Sequence, residues 1–113
     1  MGRVALTDGS GLWFDPGKAV LFEEKTWWDG HNHISTPTGS QWDHEWLYLT
    51  KGERWILHSH SQRQCVRETY VILSHEEAAD WLLQNGHDTE EQLNKLPQAV
   101  RLSVKDLFDS KEI

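Results

Sequence analysis

The sequence predicts an α+β fold: an antiparallel sheet of about four to six strands over residues 1–73, followed by two or three helices over residues 74–113. Three observations carry this. Residues 44–61 read as a β-hairpin, two runs rich in aromatic and branched side chains around a turn at Lys51-Gly52. Residues 68–73 (Glu-Thr-Tyr-Val-Ile-Leu) read as a further strand. From Ser74 the apolar spacing becomes helical. Ser74 and Glu77 spell a capping box, Ala78, Ala79, Leu82 and Leu83 form an apolar stripe, and Gly86 sits where a left-handed C-terminal cap belongs. A chain of 113 residues fits one domain, residues 1–113, with a modest core.

The remaining elements follow in order. Residues 3–7 alternate weakly, as a short edge strand would. Asp8-Gly9-Ser10-Gly11 signals a turn, after which Leu12, Trp13 and Phe14 resume an apolar run. Asp15-Pro16-Gly17 suits either a turn or a helix start capped by Asp15 with Pro16 in its first turn. Aromatic and β-branched content favours a strand over 18–28, ended by Asp29-Gly30. Residues 31–41, polar and holding Pro37 and Gly39, read as a loop or a very short strand. A second helix is expected from Thr89, with Gln92 completing another capping box, Leu93 and Leu96 buried, and Pro97 as its stop. Over residues 100–108 a helix (Val100, Val104, Leu107, Phe108) fits better than a strand (Val100, Leu102, Val104).

The hairpin register decides which side chains meet. With the two-residue loop Lys51-Gly52, Thr50 faces Glu53, Tyr48 faces Trp55, and Glu45 lies opposite His58, able to hydrogen-bond it across the ladder. With a three-residue loop, Trp46 faces His58 and His44 faces His60. In either case both faces are largely apolar, so the helix over 75–85 covers one. The other meets a second layer or a partner.

Formal net charge is −7, from 18 acids against 11 bases. That disfavours nucleic-acid backbones and suits a basic partner. A single cysteine, Cys65, excludes an internal disulfide and points to the cytoplasm. No apolar run approaches the ~18 residues of a membrane span, and the first residues lack a signal-peptide layout. Seven tryptophans are the unusual count. Trp46, Trp55 and Trp81 are expected in the core. Trp27, Trp28 and Trp42 flank loops, where tryptophan anchors binding partners. No basic residue falls between Arg67 and Lys95, so the helical region presents acids, among them Glu76, Glu77 and Asp80.

These features point first to a non-enzymatic accessory or regulatory protein that binds a protein partner, or a second copy of itself, through an acidic, tryptophan-bearing surface. The alternative is a metal-binding protein or metal-dependent enzyme. His58-Ser59-His60 puts two imidazoles on one strand face, with Glu45 or His44 as a further ligand for zinc or another divalent ion. His31-Asn32-His33 repeats the spacing. A third reading is a small-ligand binder with an aromatic pocket against the sheet. Cys65, between Arg63 and Arg67, has no evident base, and no glycine-rich phosphate loop is present. No catalytic residue and no cofactor beyond that candidate divalent metal is expected.

The run Leu47-Tyr48-x-Thr50-x-Gly52-x-x-Trp55-x-Leu57-His58, followed by Ala78-Ala79-x-Trp81-Leu82-x-x-Asn85-Gly86-His87, resembles a pattern in small bacterial proteins of unassigned function. The resemblance covers roughly residues 10–87. It implies a bacterial accessory protein and brings no activity or catalytic residue with it.

Overall fold

The computed structural model describes residues 2–113. Eight strands are followed by three helices: β1 (Val4–Ala5), β2 (Trp13–Phe14), β3 (Val20–Glu23), β4 (Thr26–Trp28), β5 (His33–Ser35), β6 (Asp43–Leu49), β7 (Trp55–Ser61), β8 (Thr69–Leu73), α1 (His75–Gln84), α2 (Glu90–Leu93) and α3 (Gln98–Ser110). The fold is α+β. A four-stranded antiparallel sheet runs β3-β6-β7-β8, and β1-β2 and β4-β5 form two small antiparallel ladders.

The β6–β7 hairpin takes the three-residue register, one of the two that the sequence leaves open. Leu49 pairs with Trp55, Trp46 with His58 and His44 with His60. The Thr50 N–H donates to the Arg54 carbonyl (2.9 Å) and the Glu53 N–H to that of Thr50 (2.9 Å). A loop of this length needs a left-handed residue at its end. Glu53 fills that role at φ 62°, whereas Gly52 has no positive φ. The glycine therefore marks the turn without occupying the position that demands one.

This parity sorts the two faces. Leu47, Leu49 and Trp55, with Phe22 from β3, are buried against Ala78, Trp81 and Leu82 of α1 and Leu93, Leu96, Val100 and Val104 beyond it. On the other face Ile56 is buried by Leu6 and Phe14, with Tyr48, Tyr70 and Ile72 packed around them. The second layer is thus the N-terminal segment, and it covers only the turn-proximal part of that face. Trp46 lies beyond it and is partly exposed, not the core residue expected; Trp55 and Trp81 are buried. The same segment closes the outer edge of β8. The Thr7 N–H donates to the Tyr70 carbonyl (2.8 Å), and Thr7 Oγ1 accepts from the Tyr70 N–H (2.9 Å). An edge strand paired in this way is blunted against further chains.

The strand expected over 18–28 is two strands. Asp15 caps one 3-10 turn at Pro16–Lys18, and β3 ends at Glu23. Glu24 then turns inward, its side chain only 7% exposed. It accepts from Ser35 Oγ (2.7 Å) and the Glu45 N–H (2.7 Å), and its other oxygen lies 2.6 Å from His44 Nδ1. That carboxylate fastens the β4–β5 hairpin to the main sheet.

Helix α1 has the full capping box at Ser74 and Glu77. It ends in a Schellman motif, with Gly86 at φ 76° and the His87 N–H donating to Leu82 (2.8 Å) and the Gly86 N–H to Leu83 (3.3 Å). Helix α2 is a single capped turn. Thr89 accepts from the Gln92 N–H (3.3 Å), but the Gln92 side chain meets His87 and Lys95 instead of closing the expected box. Residues 98–110 are helical, as the spacing favours, with Pro97 just outside the first turn.

Candidate functional site

The three-residue register puts His44, His58 and His60 on one face of the sheet around Trp46, and Glu45 on the other. Both ring nitrogens of His44 face oxygen acceptors, Nδ1 toward Glu24 and Nε2 toward the Gln41 carbonyl (3.1 Å). His58 directs Nε2 at Glu68 Oε1 (2.5 Å), while its Nδ1 is buried without a hydrogen-bond partner among the described residues. The His58 ring is held between Trp46 and Tyr70, at centroid distances of 4.9 and 4.2 Å, the latter stacked at 13°. His60 is half-exposed, with Nδ1 3.5 Å from Glu68 Oε2. Glu45 is on the opposite face. It accepts from Trp81 Nε1 (3.0 Å), so the ladder bond to His58 is not made. Among the described residues no three His, Cys, Asp or Glu side chains are grouped to hold an ion.

Glu68 instead centres a hydrogen-bonded cluster. Tyr70 donates to it at 2.9 Å, and this bond, with that from His58, holds its carboxyl below the usual range. Burial, then the bond to Glu68, pushes the Tyr70 phenol up to about 12. The cluster ties β7 to β8 through His58, Glu68 and Tyr70. Burial likewise raises the Glu45 carboxyl, opposed by its bond from Trp81 and helped by the charge of Glu24.

The tryptophans and the acids lie apart. Trp27, Trp28 and Trp42 are 52%, 58% and 46% exposed. Trp27 pairs with Ile34 and Trp28 with His33, so these neighbours point to opposite sides of their ladder. Trp42 precedes β6, at the end far from the hairpin turn. The first turn of α1 sits near the other end, where Trp55 Nε1 donates to His75 Nδ1 (3.1 Å). Glu77 is occupied in the capping box, and Glu76 and Asp80 are both paired with Lys111. Cys65 is exposed at φ 66°, and no base adjoins it in the hydrogen bonds described.

A different site emerges between the N-terminal layer and the hairpin turn. A cleft of about 770 Å³ opens there, within the range of about 300–1,000 Å³ typical of small-molecule sites. Leu6, Ile56 and Ile72 give it an apolar floor, and Leu12, Trp13 and Phe14 line one wall. Arg3, Lys18, Lys51 and Arg54 line it as well, against the carboxylate of Asp15. Asp15 is tied to its own turn, accepting from the Gly17 N–H (2.9 Å); this bond lowers its carboxyl, and the Lys18 charge adds to the effect. Arg3 stacks its guanidinium on the Trp13 ring at 4.9 Å. Ion pairs among the described residues use other cations, such as Arg63, Lys105 and Lys111. The chain-wide charge conceals this cluster because its members are scattered along the sequence and meet only after folding. The available signal was modest: Lys18, Lys51 and Arg54 all flank turns.

No family model matches the chain, and no curated protein or solved structure matches it.

Proposed function

We propose that the protein is a binding module whose ligand is a small anion with an apolar body, held in the cleft between the N-terminal layer and the β6–β7 turn. One observation supports this above the others. In a chain of net charge −7, four of the 11 basic residues line one cleft beside a single carboxylate, over an apolar floor. Clustered like charges repel. Such an arrangement makes sense where an anion relieves it. The apolar floor supplies binding energy that does not depend on salt, while the cations supply orientation and a faster encounter.

The acidic, tryptophan-bearing docking surface expected from the sequence is a second reading; the cleft is preferred because charged and apolar groups line one space there. The exposed Trp27, Trp28 and Trp42 remain suited to contact with another protein, but they name no partner. The test is calorimetric titration with hexanoate and hexyl phosphate, alongside amide chemical-shift mapping. Binding is expected to shift the amides of Lys51, Gly52 and Arg54, and Arg54→Glu is expected to weaken it at least roughly ten-fold. Absence of binding by either anion at millimolar concentration would overturn the proposal.

A further inference from the structure

We infer that the cleft selects a phosphate monoester carried on an apolar group, in preference to a carboxylate; the inference rests on the anion-binding reading above. Four cations and the single carboxylate of Asp15 line the cleft, so its described lining holds more basic than acidic side chains. A carboxylate ligand brings one negative charge. A phosphate monoester carries about −1.5 to −2 at pH 7 and offers three terminal oxygens. Arg3 and Arg54 are forked donors matched to two of those oxygens at once, while Lys18 and Lys51 act as point charges. A phosphodiester carries a single charge and extends at both ends, and a polymer of them would meet the net negative charge of the rest of the chain. The floor of Leu6, Ile56 and Ile72 gives the ester group an apolar seat, so inorganic phosphate alone leaves part of the site unused.

The experiment is isothermal titration of the full chain with hexyl phosphate, hexanoate and inorganic phosphate at pH 7.5 and 5.0. Hexyl phosphate is expected to bind at least roughly ten-fold tighter than either of the others at pH 7.5. Its advantage over hexanoate is expected to shrink at pH 5.0, because the second proton of a phosphate monoester binds near pH 6. No histidine is among the described residues that line the cleft, so the ligand's own second protonation is the expected source of that change. Arg54→Gln is expected to narrow the preference with the thermal midpoint unchanged. Hexanoate binding within three-fold of hexyl phosphate, with both lost in Arg54→Glu, would overturn the phosphate assignment and leave the anion site standing. No binding by any of the three would overturn both. Inorganic phosphate matching hexyl phosphate would overturn the apolar seat. Tighter capture by phosphatidylcholine vesicles containing phosphatidic acid than by hexyl phosphate would overturn a soluble ligand.

Discussion

Glu53 carries the hairpin turn in a left-handed conformation that a side chain resists, and the glycine beside it does not need its own freedom. Left-handed backbone costs a non-glycine residue roughly 1–2 kcal/mol, part of which glycine gives back through unfolded-state entropy. Glu53→Gly is therefore expected to raise unfolding free energy by about 0.5–1 kcal/mol. Gly52→Ala is expected to change it little, since a Cβ there meets only Thr50 Oγ1 at 3.9 Å. Urea denaturation of the two variants checks both, and a destabilised Glu53→Gly would contradict the turn geometry. The register was not legible because the sequence places its glycine one residue before the position that needs one. Glu45 makes a second prediction. Burial raises its carboxyl, so the protonated form is favoured by the fold. Its contribution is fully present below the ordinary carboxylate range and is lost as pH rises through the raised value. Glu45→Gln retains an oxygen acceptor for Trp81, and is expected to be more stable than the parent at pH 7 and to lose that advantage near pH 4. An advantage equal at both pH values would show that ionisation is not its source.

At the level of elements, what is encoded locally was legible and what depends on distant partners was not. Helix α1 has its start, stripe and stop within 13 residues, Ser74 to Gly86. Each signal acts through neighbours in sequence, so the expected caps match those observed. Gly86→Ala should cost about 1 kcal/mol through its left-handed φ, readable as a drop in denaturation midpoint. The division of residues 18–28 into β3 and β4 had no such local cause. It follows from Glu24 turning away to serve Ser35, Glu45 and His44, partners 11 to 21 residues away. Glu24→Ala would leave those groups without their acceptor. Hydrogen bonds to a charged group are each worth about 1.5–3 kcal/mol, so a loss on the order of 3 kcal/mol is expected. It should be accompanied by faster amide exchange at Trp27 and Trp28 on the tethered hairpin. Unchanged exchange there would mean that Glu24 does not hold the hairpin.

For the molecule as a whole, the sheet has one face buried by helices and one face half buried by a thin N-terminal layer. The sequence shows that two apolar faces exist, because the parity of β6 and β7 is local. It does not show that residues near the start of the chain cover one of them, nor that Arg3 lines one cleft with Lys51 and Arg54. Those are long-range facts set by packing. The two faces should differ in cooperativity. The helix-side cluster joins β3, β6, β7 and all three helices, whereas the other depends on Leu6 and Phe14, contributed by a segment whose strands are two residues each. Few buried contacts and short ladders give low opening free energies. Val104→Ala, at a fully buried site in α3, is expected to lower global stability by about 1–3 kcal/mol. Leu6→Ala should instead act chiefly on the local opening of residues 4–14. In native-state hydrogen exchange, the amides that β1 and β2 protect should exchange through a sub-global opening, while those of β6 and β7 follow global unfolding. The cleft lies between that layer and the hairpin turn, so a ligand seated in it binds only the closed arrangement. Saturating hexyl phosphate should raise protection in residues 4–14 more than in α3. Equal protection in both regions would mean that layer and core open together, and that the cleft is a fixed feature of one cooperative unit.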